Sequence, residues 1–409
     1  MGDHDDLLER FKPQLAYDSI EQYFADSAAQ WTDNPGNELR RADTRTSTGA
    51  LLARAGDGLR LDFLGAERYA SGEPVLPGDR IGDPSTDYRT QYVALRTARP
   101  DLRNRIHARA VQAGGRLWLQ YWFWYFYNDY NLALGAGRHE GDWEMIQLRL
   151  HDDEPDLAVY AQHRRAEKRP CPQVARAPGR PDTPMVYVAR GSHASYFEPG
   201  FHETEAWYDL ADGKRHTPEL ALEILDESGG WALWPGVWGD TRPRIGAGLG
   251  QPSPEAPCAH AQWEDPDRLL ATAWEPVRGE AIAAPDVTIA RDGERLRVDF
   301  DFTRQDGPAP ASLAVTVNSR DEPGVPPVTT TFAVAELERG TLRTRLPLDP
   351  AKHYDVYAST TGGHPPVPSA SALTELDAVG TRSVPLAAGE VAVRGIGRLI
   401  ARLRGHLPW

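Results

Sequence analysis

The sequence predicts a mainly β protein with a central β-sandwich that carries helical and loop decorations, a second C-terminal β-sandwich and a terminal amphipathic helix. A chain of 409 residues is too long for one ordinary core, which predicts two or three domains. An aromatic run at 117–127 favours a buried pleated surface, and short alternating segments recur from residue 287 onward. The expected boundaries are 1–275, 285–377 and 389–407.

Composition excludes several classes of function. The formal net charge of −14 argues against nucleic-acid binding, because phosphate contacts need a positive surface. The longest apolar run is far shorter than the ~20 residues of a membrane span, and the acidic N-terminus does not resemble a secretory signal, so we expect a cytoplasmic protein. Cys171 and Cys258 form no CxxC motif, which predicts free thiols and no structural zinc site.

The N-terminal part predicts little regular structure before the aromatic run. Ser19 and the residues 20–24 after it are a candidate start of a short helix, and 72–90 is rich in turn residues. The segment 103–112 fits either a short helix or a strand. Two further strands are expected, at 142–150 and 184–190.

The C-terminal part contains short strands separated by Gly, Pro and Asp turns. The predicted strands are 296–302, 313–317, 329–334, 341–346 and 354–357. Their spacing resembles that of immunoglobulin or fibronectin type III modules, which are usually structural or adhesive. We therefore expect no chemistry in this region.

The segment 391–407 has apolar residues at helical spacing with four arginines between them. Such a basic amphipathic helix fits peripheral contact with an anionic membrane, or docking on the acidic remainder of the chain. Gly395 and Gly397 weaken a free-standing helix, which favours docking.

Residues 138–144, Arg-His-Glu-Gly-Asp-Trp-Glu, are the strongest candidate for a functional site. On a strand that begins at Asp142, alternation places Asp142 and Glu144 on one face together with aliphatic side chains. Burying two carboxylates is costly unless a cation compensates them. His139 adds a nitrogen ligand, and Asp129 or Asn131 at the other end of the loop can complete the shell. The alternative is that arginines such as Arg138 or Arg190 pair with the carboxylates.

His139–Leu148 and Tyr187–Phe197 resemble the vacuolar protein sorting-associated protein family of the sixty-two type. Leu117–Phe123 and Trp234–Gly239 belong to the same resemblance, which covers about 10–245. The heptad 138–144 also resembles, more distantly, the central motif of the necrosis- and ethylene-inducing peptide-like cytolysins.

In the cytolysin family, a His, an Asp and a Glu of that motif bind a divalent cation that helps to engage a sphingolipid head group. The resemblance implies that His139, Asp142 and Glu144 are the cation ligands here. The second His of the cytolysin motif is replaced by Gly141, and the upstream aspartate falls near Asn131. These departures leave cation binding as the expectation and put lytic activity in doubt.

Two functions fit these residues. In the first, a divalent cation (magnesium, manganese or calcium rather than zinc) engages an anionic or polyhydroxyl ligand, such as a lipid or glycan head group. In the second, the cation activates water for hydrolysis, with His193 or Glu140 as the base. No clear nucleophile or acid–base pair accompanies the motif, which favours binding. A third hypothesis is a scaffold in which the cation only stiffens a hairpin.

Overall fold

A computed structural model of the protein describes most of the chain. The described residues are 4–41, 49–57, 61–85, 87–130, 138–163, 165–203, 208–217, 219–225, 230–239, 253–274, 286–292, 295–303, 310–319, 321, 328–334, 339–343, 348–362 and 367–376. They divide into two compact units. The larger unit falls within 1–130, 135–197 and 213–275, and the smaller falls within 198–212 and 276–409.

Strands and helices are numbered along the whole chain. The strands of the larger unit are β1 (Gln14–Tyr17), β2 (Glu38–Arg40), β3 (Leu51–Arg54), β4 (Arg80–Gly82), β5 (Arg105–Ala113), β6 (Arg116–Asn128), β7 (His139–His151), β8 (Glu154–Gln162), β9 (Arg165–Pro170), β10 (Arg176–Ala177), β11 (Arg180–Val188), β12 (Ser195–Tyr196), β15 (Arg215–His216), β16 (Ala221–Ile224), β17 (Val237–Trp238) and β18 (Ala273–Trp274). The α-helices are α1 (Asp5–Arg10), α2 (Ala28–Thr32), α3 (Leu61–Leu64), α4 (Tyr88–Ala98) and α5 (Asp267–Thr272). Short 3₁₀ turns are Ala55–Asp57, Pro100–Leu102, Cys171–Gln173, Trp231–Leu233, Pro257–Ala259 and Ala261–Trp263.

The aromatic run forms β6, which lies inside a seven-stranded sheet with the order β16-β5-β6-β7-β8-β9-β18. The sheet is antiparallel from β5 to β9, and each edge strand runs parallel to its neighbour. A second sheet has the order β10-β11-β1-β15, and a third has the order β17-β4-β2-β3. One hydrophobic core contains side chains from all three sheets. The prediction of a mainly β protein with a central strand at 117–127 is therefore confirmed.

The two faces of β6 bury different kinds of side chain. One face carries tyrosine and aliphatic residues, and the other carries Trp118, Gln120, Trp122 and Trp124. Gln120 is fully buried and donates to the Gln262 carbonyl at 2.7 Å. Its cross-strand partner on β7 is also a fully buried glutamine, which donates to the Pro266 carbonyl at 2.9 Å. The buried amides thus fix the 260–266 segment against the sheet.

Further along the same face, a cluster of tryptophans joins the seven-stranded sheet to the β17-β4-β2-β3 sheet. Neighbouring ring centroids lie 5.0–6.1 Å apart, mostly in the tilted or edge-to-face arrangements that indole pairs prefer. The members are Trp31, Trp124, Trp143, Trp231, Trp234 and Trp238. The cluster packs against the strand that carries the predicted site, because Trp143 lies on β7.

The smaller unit consists of two described antiparallel sheets and a separate hairpin. Its strands are β13 (Gly200–Glu203), β14 (Tyr208–Ala211), β19 (Asp286–Asp292), β20 (Arg295–Asp301), β21 (Ser312–Ser319), β22 (Val328–Ala333), β23 (Arg339–Arg343), β24 (Tyr354–Gly362) and β25 (Val367–Leu376). The sheet orders are β19-β20-β23 and β22-β21-β24-β25, and one core takes side chains from both sheets. Each of the five strands predicted here overlaps an observed one.

Other local predictions had mixed outcomes. The helix expected after Ser19 is wrong, because the Glu21 carboxylate accepts the amides of Gln22 and Tyr23 and so competes with helical hydrogen bonds. The undecided segment 103–112 is the strand β5, and α4 begins inside the predicted loop 72–90. No helix among the described residues is long and apolar enough to cross a membrane. The predicted helix 391–407 lies outside the described residues, as does its expected domain 389–407.

The buried glutamines give a test of the fold. Gln147→Leu leaves the Pro266 carbonyl without its donor, so we expect the free energy of unfolding to fall by roughly 1–3 kcal/mol. Gln112→Leu, on an exposed position of β5, should change it by less than about 0.5 kcal/mol. Urea unfolding followed by tryptophan fluorescence measures the difference, since ten of the twelve tryptophans belong to the larger unit. Equal stability of the two variants would contradict the role of Gln147.

Candidate functional site

Gly141 interrupts the regular alternation of β7 at the predicted site. Its φ of +68° lies in the left-handed region, where residues other than glycine are strained. A Cβ there would lie 2.2 Å from the Trp238 carbonyl oxygen and 2.5 Å from the Trp124 ring, so the position has no space for a side chain. On one side of this kink His139 approaches Asp142, and Glu140 is directed to a different neighbour, the Asp83 amide.

His139 is held as a neutral imidazole whose Nε2 faces a carboxylate. Its Nδ1 lies 2.7 Å from the Gly141 carbonyl oxygen, which can only accept, so Nδ1 carries the proton. Burial lowers the pKa of His139, and the nearby Asp142 only partly opposes this effect. The unprotonated Nε2 lies 4.0 Å from Asp142 Oδ1, so two electron-pair donors are close together in a buried place.

Asp142 has two hydrogen-bond partners among the described residues, and both contact the same oxygen. Oδ2 lies 2.9 Å from Nδ1 of His193 and accepts from the Asn128 amide at 3.2 Å. Oδ1 is the atom that faces His139. Among the described residues Asp142 is paired with a histidine, so the alternative of an arginine partner is wrong for Asp142. Arg138 instead contacts Asp129 at 2.7 Å.

Arg190, the other arginine considered, holds Asp18 through two hydrogen bonds of 2.8 and 3.1 Å. Asp18 is fully buried at the end of β1. This pair fixes the turn after β11, in which Gly191 donates its amide to Glu21 at 2.7 Å. The turn then places His193 at the site.

His193 adopts a left-handed conformation with a φ of +57°, which is uncommon for a residue other than glycine and marks a functional candidate. Its ring stacks on Tyr125 at a centroid distance of 3.9 Å and an interplanar angle of 7°. Nε2 lies 3.7 Å from Glu21 Oε1, so the imidazole stands between two carboxylates. Burial alone would lower the pKa of His193, but Glu21 and Asp142 outweigh it and raise the pKa to about 9.

Glu21 is a site residue that the sequence interpretation missed. It is buried, and burial alone would raise its pKa, but His193 and the backbone amides of Gly191 and Tyr23 lower it. No spacing in the sequence indicates this role, because Glu21 reaches His193 and Gly191 from about 170 residues away. The only local signal is that Glu21 precedes Gln22 and Tyr23, whose backbone amides donate hydrogen bonds to its carboxylate.

The remaining predicted site residues are Glu144, Asp129 and Asn131. Glu144 is buried on β7, and both Glu144 and Asp142 act electrostatically on Tyr125, whose pKa burial already raises far above its usual range. Asp129 lies within electrostatic reach of Glu21 and His193, and burial raises its pKa despite the ion pair with Arg138. Asn131 lies outside the described residues.

A divalent cation needs several donor atoms gathered around one point. Among the described residues, no group of three or more His, Cys, Asp or Glu side chains is arranged to hold a metal ion. Two donors do fit one: His139 Nε2 and Asp142 Oδ1 lie 4.0 Å apart, close to the sum of a metal–nitrogen and a metal–oxygen bond of about 2.1 Å each. The Nδ1 hydrogen bond to a backbone carbonyl is the usual second contact of a metal-binding histidine.

Comparisons with known proteins give little further information. No family model and no curated protein matches the chain, so the resemblance to the vacuolar protein sorting family has no support. The similar solved structures include necrosis- and ethylene-inducing proteins at low identity. Protein 2 of this type from the causal agent of cocoa's witches' broom disease is 14% identical, with 66% of this chain and 90% of that chain covered and a TM-score of 0.31.

Two other solved structures of this kind have similar scores. The non-toxic HaNLP3 protein is 12% identical, with 67% of this chain and 93% of that chain covered and a TM-score of 0.32. NLPPya in complex with glucosamine is 13% identical, with 54% and 72% covered and a TM-score of 0.27. TM-scores below 0.5 are too low for these similarities to support a conclusion about the fold or the function of this chain.

The position of His193 predicts a pH-dependent stability of the metal-free protein. A folded-state pKa of about 9 against an unfolded value of 6.5 gives a stabilising contribution that is complete below pH 6.5 and lost as the pH rises through 9. In EDTA we expect the free energy of unfolding to fall by about 3 kcal/mol over this window. His193→Asn, which tolerates a positive φ, should lack most of that fall. Parallel pH profiles of the two proteins in urea unfolding would contradict the assignment.

Proposed function

We propose that the protein binds a divalent cation between His139 and Asp142 and uses it to engage an anionic or polyhydroxyl ligand. The single observation that carries the proposal is the approach of His139 Nε2 and Asp142 Oδ1. Both atoms are electron-pair donors, both side chains are buried, and the imidazole is kept neutral. Such a pair is unfavourable unless a positive charge or a hydrogen-bond donor lies between them.

A pair of protein ligands leaves most of the coordination shell open. Magnesium is commonly held through one or two carboxylates, with water and ligand oxygens completing the shell, and calcium also takes hydroxyl and water oxygens. Glu144 and Asp129 are proposed as further ligands on the sequence argument alone, since no third His, Cys, Asp or Glu side chain among the described residues completes a group with His139 and Asp142. Asn131 is kept as a proposed ligand on the sequence argument alone. An open shell of oxygen ligands favours magnesium, manganese or calcium over zinc.

The surroundings of His193 favour binding over hydrolysis. With carboxylates on both sides and a pKa of about 9, His193 is an imidazolium at neutral pH in the metal-free protein. An imidazolium has no lone pair with which to accept a proton, so His193 does not serve as a general base in that state. Glu140 is occupied by the Asp83 amide at 2.8 Å. Both candidate bases are thus engaged in the metal-free protein, which favours recognition of the ligand over its cleavage.

We also propose that 286–376 is an immunoglobulin- or fibronectin type III-like module. A three-stranded and a four-stranded antiparallel sheet share one core, and seven strands in two sheets is the number in such modules. The proposal assigns this region a structural or adhesive role, and it leaves the cation site in the larger unit.

Titration of the metal-free protein with Mn²⁺ tests the proposed site. We expect about one Mn²⁺ per chain, and His139→Gln and Asp142→Asn should each weaken its binding at least about tenfold because each removes a ligand. Asp156→Asn is the matched control, since this aspartate lies in the same sheet and its ion pair among the described residues is with Arg149 at 2.7 Å. Free Mn²⁺ measured by electron paramagnetic resonance gives the affinity. A folded wild-type protein that binds no Mn²⁺, Mg²⁺ or Ca²⁺ would refute the proposal.

A second titration tests the ligand class. Glucosamine, mannosamine and inositol phosphate serve as polyhydroxyl and anionic probes, added to the cation-loaded protein and to the protein in EDTA. We expect calorimetric binding of at least one probe only when the cation is present, and loss of that binding in Asp142→Asn. Binding that is equal in EDTA would show that the cation does not engage the ligand.

A further inference from the structure

The segment Trp234–Gly239 contributes none of the proposed ligands, yet it contacts the site strand through its backbone. A Cβ on Gly141 would lie 2.2 Å from the Trp238 carbonyl oxygen, and a Cβ on Gly239 would lie 2.1 Å from the Glu140 carbonyl oxygen. The two chain segments thus touch at successive residues, and each contact requires a glycine. Both glycines have a positive φ, of +68° and +138°.

Hydrogen bonds fix this segment to β4. Gly239 donates its amide to the Ile81 carbonyl at 2.7 Å, and Val237 donates to the Asp79 carbonyl at the same distance. Strand β17 also runs parallel to β4, with Trp238 opposite Ile81. The backbone that presses on Gly141 is therefore part of a sheet and does not move independently of β4.

Glu140 links the same sheet to the site strand from the other direction. Its carboxylate is 1% exposed and accepts the Asp83 amide at 2.8 Å, directly after β4 ends. Asp83 in turn accepts from the Asn34 side chain at 2.9 Å. Glu140 is the residue between His139 and Gly141, so its contact with Asp83 anchors the strand directly beside both of them.

We propose that Glu140 is a positioning residue that holds the left-handed kink at Gly141 and thereby the approach of His139 to Asp142. It acts as a hydrogen-bond acceptor toward the Asp83 amide, and it is neither a cation ligand nor a base. The inference rests on the proposed cation site. The inference can be tested separately from the cation site, because it requires a hydrogen-bond acceptor at position 140 and not a negative charge.

The pair of variants Glu140→Gln and Glu140→Ala separates these roles. A glutamine keeps an acceptor oxygen for the Asp83 amide, whereas alanine removes it. We expect Glu140→Ala to weaken Mn²⁺ binding at least about tenfold and Glu140→Gln to remain within about threefold of wild type. Asp26→Ala is the matched control: this buried carboxylate also accepts a backbone amide, that of Asn104 at 2.9 Å, and its loss should lower stability without changing Mn²⁺ affinity.

Nitrogen-15 NMR of the His139 ring in the metal-free variants supplies a second readout that does not depend on cation binding. Wild type and Glu140→Gln should show a single neutral form with the proton on Nδ1, and Glu140→Ala should show a mixture. Wild-type protein that binds no Mn²⁺ but keeps this pattern refutes the cation site and leaves the positioning role standing. An unchanged His139 ring and Mn²⁺ affinity in Glu140→Ala overturns the inference, as does a Glu140→Gln variant as defective as Glu140→Ala.

Discussion

The close contact between the backbone of Gly141 and the carbonyl oxygen of Trp238 is the constraint on which the site depends. It excludes a side chain at 141 and holds the strand in a left-handed kink. Without the kink, alternation would place His139 and Asp142 on opposite faces of β7. With it, His139 approaches Asp142 and Glu140 reaches the Asp83 amide, so one residue of unusual backbone sets the direction of its neighbours.

Electrostatics then divides the two site histidines into different protonation states. His139 is buried beside a single carboxylate and a backbone carbonyl, and its pKa falls. His193 is equally buried but stands between Asp142 and Glu21, and its pKa rises to about 9. The cationic His193 itself contributes to keeping His139 neutral. At the site, an imidazolium therefore lies against Asp142 Oδ2, while Oδ1 lies 4.0 Å from the unprotonated Nε2 of His139.

The sequence predicts the secondary structure of this chain better than it predicts the site. The runs at 117–127 and 142–150 are strands whose aromatic and aliphatic residues are buried on both faces. Their composition alone indicates such buried strands. The grouping of Asp142 with Glu144 on one face followed from alternation. Alternation failed at Gly141, since a glycine in a strand pattern does not reveal the sign of φ. Glu21 was beyond prediction because its contacts depend on the parallel pairing of β1 with β11, not on any local pattern.

The parallel pairing of β1 with β11 affects the order in which parts of the molecule fold during synthesis. Gln14 on β1 lies opposite Met185 on β11, and the Asp18–Arg190 and Glu21–Gly191 contacts that follow span 172 and 170 residues. Contacts across so long a loop form only after most of the larger unit has been synthesised. Their closure entropy makes folding slow. During synthesis, β1 and the acidic residues after it remain without their partners until β11 leaves the ribosome. The site thus cannot form before residue 193 has been synthesised, and a fragment that ends before residue 190 would contain His139, Asp142 and Glu144 without Arg190, Gly191 or His193 to complete their surroundings.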